Sequence, residues 1–239
     1  MTTMRTQVQE GLLEMIVLIA LAACFKPNER YLLLDQIMVR DFAPNEYYGK
    51  KWVAKLIDRK LIDFNLVAPL SGAQNASPLI KRPAEAGECV DAYILKVSKR
   101  INRLLALDFN HFLYLKEFTL DILANECAEY ARYYAHRSGL SIIQTSPERT
   151  KLKLLLLECD QEQVFMLLWR AVKQAQRNCS SIERRIHLDE LIDTAFSFYI
   201  QYRRLGITIE CYERPKQMMT SKLSEYASYF KSIFHESYS

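Results

Sequence analysis

The stretch APNEYYGKKWVAKLIDRKLIDFN, residues 43–65, decides how the chain is read. Ala43 and Pro44 make a turn, and Pro44 suits the first position of a helix, where a missing N–H has no intrahelical partner to lose. Beyond them Tyr48, Trp52, Val53, Leu56 and Ile57 recur at helical spacing, which puts them on one buried stripe. Tyr47, Lys50, Lys51, Ala54, Lys55 and Asp58 fall on the other side. Five basic residues, Lys50, Lys51, Lys55, Arg59 and Lys60, against Glu46 and Asp58 leave a local charge of +3 over residues 44–60. That charged side either lies in a nucleic-acid groove or is the solvated face of an ordinary helix.

Upstream, residues 9–25 form an apolar helix containing GLLEMIVLIALAACF. Leu21, Ala22, Ala23 and Cys24 look like a lipoprotein cleavage box, but Glu14 interrupts the apolar run and the residues before it carry one Arg offset by one Glu. The run is also too short to span a bilayer. A buried core helix is the expectation, with no membrane partner. Pro27 and Asn28 then break the chain, and YLLLDQIMVRDF reads as a second short helix with Leu33, Leu34, Ile37 and Met38 on one face.

Downstream the period changes. LIDFNLV alternates like a strand, residues 68–88 are rich in Pro, Gly, Ala and Ser, and CVDAYILKV is a second strand candidate, giving a β-hairpin with a long tip. Three helices followed by a hairpin resemble the winged helix-turn-helix family. The resemblance rests on LLLDQIMVRDFAPNEYYGKKWVAKLIDRKLIDFN and covers about residues 8–98, with D-R-K-L-I as the step from helix into first wing strand. It implies that the helix at 44–60 enters the major groove of double-stranded DNA, with Asn45, Tyr47, Lys50, Lys51, Lys55 and Arg59 meeting base edges or phosphates. Lys81 and Arg82, at the hairpin tip, would reach the backbone or the minor groove. The connection at 68–88 is longer than a typical wing, and modules of this fold also bind protein.

From residue 99 onward the chain reads as helices only, over 99–116, 117–138, 147–158, 160–178, 188–205 and 215–234. Gly139 and Gly206 suit C-caps, Asp160 with Gln163 suits a capping box, and GITIECYE at 206–213 suits an extended segment. The fold class is therefore mainly α: a winged-helix module at 1–98 followed by a multi-helix bundle at 99–239.

Bulk composition agrees. Half of the 239 residues are apolar, with only 6 Gly and 7 Pro, so helices joined by short connections are favoured over a turn-rich β fold. A net charge of +4 is a mild bias that decides nothing about partners. Cys24, Cys89, Cys127, Cys159, Cys179 and Cys211 form no C-x-x-C pair, which fits free thiols in a reducing cytoplasm and gives no zinc spacing.

Phosphate-loop, dinucleotide, nucleophile-elbow, H-E-x-x-H and calcium-loop patterns are absent from the sequence. Three weaker groupings remain. Glu126, Glu129 and His136 could share one helix face, yet the pattern is that of an ordinary charged surface. His187 and Glu190 have metal-ligand spacing but also suit the first turn of a helix. Glu210, Glu213 and Lys216 resemble the acid and lysine of metal-dependent nucleases without the further acid such a site needs.

Lys99, Arg100 and Arg103 extend the basic side, while Arg203 and Arg204 complement a helix C-terminus. Tyr130, Tyr133, Tyr134, Phe196, Phe198, Tyr199 and Tyr202 could stack single strands, but at helical spacing they suit a core or a dimer seam better. The expected protein is a non-enzymatic, cytoplasmic DNA-binding homodimer without metal or cofactor. The alternative is a helical adaptor whose winged helix binds protein.

Overall fold

A computed structural model of the chain describes residues 2–67, 77–83, 88–107, 109–143, 150–178 and 185–237. They are mainly helical and fall into two units, Met1–Thr119 with Thr220–Ser239, and Leu120–Met219. No helix among the described residues is long and apolar enough to cross a membrane.

The apolar run near the start of the chain forms the end of α1 (Thr2–Ala22). Its side chains from Ile16 to Ala22 are all buried. A helix apolar on every side must be covered on every side, and α4 (Val90–Leu107) and α9 (Lys222–Ser237) pack against it. The main chain of α9 is stitched back to an early turn: Lys222 N–H donates to Asp41 O at 2.7 Å and Leu223 N–H to Phe42 O at 3.0 Å. Two otherwise orphaned helix N-terminal donors are satisfied this way. The boundary read at 98/99 lies inside α4.

Between α1 and α4 the order is β1 (Tyr31–Leu33), α2 (Leu34–Val39), α3 (Glu46–Asp58), β2 (Phe64–Val67) and β3 (Ser77–Lys81). The second predicted helix thus begins as a strand. The three strands form an antiparallel sheet with β3 in the middle, Leu32 and Phe64 both lying opposite Ile80. Pro78 lies beyond the last β1 pair, Leu33↔Leu79, where β3 has a neighbour on one side only. A proline is tolerated in a strand at such a place.

The predicted partner strand CVDAYILKV is corrected: Val90 onward is the first part of α4. Tyr93, Ile94, Val97, Ile101 and Leu105 turn inward at helical spacing, with the last two fully or nearly buried. The hairpin return is SPLIK, whose Ser and Pro read as loop. The connection between β2 and β3, 68–76, lies outside the described residues, as do residues 84–87.

Three local devices set α3. Asn45 occupies the N-cap, its side chain accepting from Tyr48 N–H at 2.9 Å, so the first helical position expected of Pro44 falls to Glu46. Gly49 lies so close to α2 that an added Cβ would stand 2.5 Å from Met38 Sδ. At the other end Leu61 N–H donates to Leu56 O at 2.9 Å and Lys60 N–H to Ile57 O at 2.8 Å, the paired bonds of a Schellman stop. The stop requires a left-handed residue, which is Lys60 at φ 55°. Arg40 closes the turn before α3 by donating to Cys24 O at 2.7 Å and to both Glu29 oxygens.

The second unit contains the later part of α5 (Phe109–Arg137), β4 (Ser141–Ile143), α6 (Thr150–Glu158), α7 (Gln161–Asn178), β5 (Arg185–His187) and α8 (Leu188–Leu205). Strands β4 and β5 pair in parallel, Ile142 opposite Ile186, in segments that read as connections between helices. Gly139 and Gly206 adopt the left-handed conformation expected of C-caps, at φ 73° and 64°. Asp160 N–H donates to Gln163 Oε1 at 3.0 Å, one half of the expected capping box. Segment 206–213 carries no strand. The core centres on Tyr130 stacked on Phe165, ring centroids 4.1 Å apart and nearly parallel.

Because a left-handed β-carbon costs about 1–2 kcal/mol, Lys60→Gly is expected to stabilise the protein by up to about 1 kcal/mol in urea denaturation, offset in part by the greater freedom of glycine in the unfolded chain.

Candidate nucleic-acid interface

Helix α3 and its two caps, Asn45 and Arg59, carry most of the residues singled out for DNA contact, and the packing of the helix sorts them. Tyr48, Gly49, Trp52, Val53 and Leu56 face inward. Trp52 meets Phe118 edge-on with ring centroids 5.2 Å apart. The outward stripe runs through Glu46, Tyr47, Lys51, Ala54 and Asp58. Tyr47 is 68% exposed, a large aromatic side chain left in water at the start of the helix.

Lys55 and Arg59 are turned toward α1. Arg59 Nη1 lies 2.8 Å from Glu14 Oε1 and Lys55 Nζ lies 3.9 Å from the same oxygen, while the Glu14 side chain is only 5% exposed. The Lys55 ammonium also sits 4.8 Å from the centre of the Trp52 ring. Burial pushes the Glu14 carboxyl above the usual carboxylate range, and the attraction of Lys55 recovers only part of that shift. Two cations thus point at a carboxyl whose burial disfavours its charge, and the cluster fixes their direction.

The remaining expected contacts divide further. Lys50 pairs with Glu46 one turn back and stands 3.6 Å from Asp35. These are exposed pairs, weak enough for a phosphate to displace. Lys51 is exposed and has no acidic partner among the described residues. Lys81 Nζ donates to Asp63 at 2.9 Å. It ends β3 at Tyr31↔Lys81, away from the connection that follows Val67, so it does not sit at the hairpin tip. Arg82 donates to Pro27 O and Glu88 O, both at 3.0 Å, which makes it a staple between loops. Asn45 is committed to its cap.

Sequence reasoning passed over the surface beside the α3 stop. An open cleft of about 480 Å³ there is lined by Tyr31, Ile57, Lys60, Phe64 and Lys81 among others. Tyr31 and Phe64 are each more than 40% exposed. Only the tertiary placement of β1 brings Tyr31 to Lys60, so no local pattern signals the cleft.

The metal groupings are dispersed. Glu126 pairs with Arg214 and accepts from Gln161 at 3.1 Å, while Glu129 pairs with Arg132. Glu190 lies in the first turn of α8, directly after His187 at its N-cap. Glu210, Glu213 and Lys216 are exposed. Among the described residues no three His, Cys, Asp or Glu side chains converge as a metal site would require.

The sign of the Glu14 effect is testable. Over the pH range between its ordinary and its raised value, the folded state holds a proton that the unfolded chain has released. Stability then falls as pH rises through that range and stays lower above it. Glu14→Gln is expected to flatten this decline and to be no less stable than the native sequence at neutral pH. Urea denaturation at acid and neutral pH checks it, and a clear loss at neutral pH would show the ion pair to be net stabilising.

No protein-family model, curated protein or solved structure matches the chain.

Proposed function

We propose that the chain is a non-enzymatic DNA-binding protein whose N-terminal unit is a winged helix-turn-helix module presenting the first half of α3 to duplex DNA. The observation that carries this reading is the order α1-β1-α2-α3-β2-β3 with β3 between β1 and β2. In this arrangement α3 has one face buried and the other open. Tyr47, Lys50 and Lys51, outward on the first turns, are the contacts of choice for base edges and phosphates. Lys55 and Arg59 contribute only if the duplex competes with Glu14.

Readers of paired half-sites bind as dimers. Leu154 and Leu157, 46% and 51% exposed on α6, supply an apolar seam for a second copy. Leu154→Glu with Leu157→Glu is expected to leave a monomer in sedimentation equilibrium. An unchanged oligomeric state would remove α6 from the seam.

A second reading, an adaptor whose winged helix meets protein, is supported by the exposed Tyr31 and Phe64 beside the α3 stop. Duplex binding followed by fluorescence anisotropy separates the two. Binding to random duplex should weaken steeply between roughly 50 and 200 mM salt, and Lys50→Glu with Lys51→Glu should lower the salt slope by about two and the affinity by about tenfold or more. Glu14→Gln, which releases Lys55 and Arg59 from their buried partner, should bind tighter than the native sequence. Duplex affinity unchanged in the double lysine variant would pass the assignment to the adaptor.

A further inference from the structure

Outside α3, one surface of the second unit has cations without acids. An open groove of about 920 Å³ runs along the second half of α7, and none of its lining residues is acidic. Arg170, Lys173 and Arg177 line it at three- and four-residue spacing, one stripe along about 10 Å of helix. Among the described residues no carboxylate pairs with any of the three. Lys50, Lys55, Arg59 and Lys81, by contrast, each lie within 4 Å of an acid. Like Lys51, the α7 cations are therefore not held by an acid.

The groove is also aromatic. Half-buried Trp169 and Phe198 line it, and Trp169 is braced by Tyr212, ring centroids 5.4 Å apart. The Lys173 ammonium stands 5.8 Å from the Trp169 ring centre. Arg170 is held over Tyr202 by a hydrogen bond to its hydroxyl and by its position 5.4 Å from the ring. Gln174, exposed on the same stripe, adds donors and an acceptor suited to a base edge. Aromatic faces interleaved with fixed cations bind bases and phosphates of one strand together.

The shape selects among polyanions. The aromatic faces of Trp169 and Phe198 are half-buried in the groove, where an unstacked base can reach them and the stacked, paired bases of a duplex cannot. A concave, aromatic-lined strip suits a flexible single strand instead. We infer that the α7 groove is a second nucleic-acid site, separate from α3, that takes single-stranded nucleic acid by stacking on Trp169 and by phosphate contacts to Arg170, Lys173 and Arg177.

The test uses the full chain and a fluorescein-labelled oligodeoxythymidylate of about 12 nucleotides, within the range one such surface covers. Binding is followed by anisotropy and by tryptophan emission. Stacking should quench Trp169, and Trp169→Phe should abolish most of the quench, because the other tryptophan, Trp52, is buried in the first unit. Lys173→Glu with Arg177→Glu, both on the surface, should weaken binding by about tenfold or more, with circular dichroism confirming the fold. Lys50→Glu with Lys51→Glu should leave the Trp169 quench in place and weaken oligothymidylate binding far less than the Lys173/Arg177 variant does, so this site and the α3 site can fail separately. No binding of the oligonucleotide, or equal binding by the Lys173/Arg177 variant, would overturn the inference. So would displacement by polyglutamate at matched charge, which would mark the groove as a seat for acidic peptide.

Discussion

A single carboxylate buried at the start of the apolar run of α1 governs how this protein can use its basic helix. Glu14 lies two residues before the fully buried part of α1 and draws Arg59, and more distantly Lys55, toward the core. Two of the five basic residues that make residues 44–60 look positive thereby lean toward α1, where the one charge of Glu14 offsets one of theirs. What reaches solvent at the start of α3 is a tyrosine and two lysines, one of them in weak surface pairs. The net charge of the stretch overstates the charge available to a partner, and any affinity for duplex DNA must come from a short patch.

The elements most legible in the sequence are those whose signals are local. The burial of α1, the inward stripe of α3 and the left-handed glycines at 139 and 206 follow from hydropathy, period and φ preference. The errors fall where a segment's state depends on a distant partner. Residues 31–33 look helical by composition yet become β1 because β3 offers them a ladder. SPLIK looks like loop but pairs on both sides, and residues 90–97 look like a strand until their continuation to Leu105 reveals one helical face. The docking of α9 on Asp41 and Phe42 is made by backbone groups, which carry no side-chain signature.

The same distinction separates the two candidate sites. Tyr47, Lys50 and Lys51 are recognisable because a turn, a cap and an apolar stripe fix the helix and hence its open side. Arg170, Lys173 and Arg177 read in sequence as the ordinary polar side of an amphipathic helix. Their interest lies in the carboxylates that do not approach them, and in Tyr212 and Phe198 arriving from elsewhere in the chain. Conversely, Glu126 and Glu129 look like a chemical pair in sequence. Arg214, 88 residues after Glu126, turns the first of them into a buried structural tie.

The proposed role of the outward first half of α3 is contact with duplex DNA. It is tested most directly by mapping the reactivity of individual lysines toward an amine-acylating reagent, with and without duplex at low salt, by mass spectrometry. Protection of Lys50 and Lys51, with Lys151 on α6 unchanged, is the predicted result. Bound duplex that leaves Lys50 and Lys51 as reactive as in the free protein would contradict it.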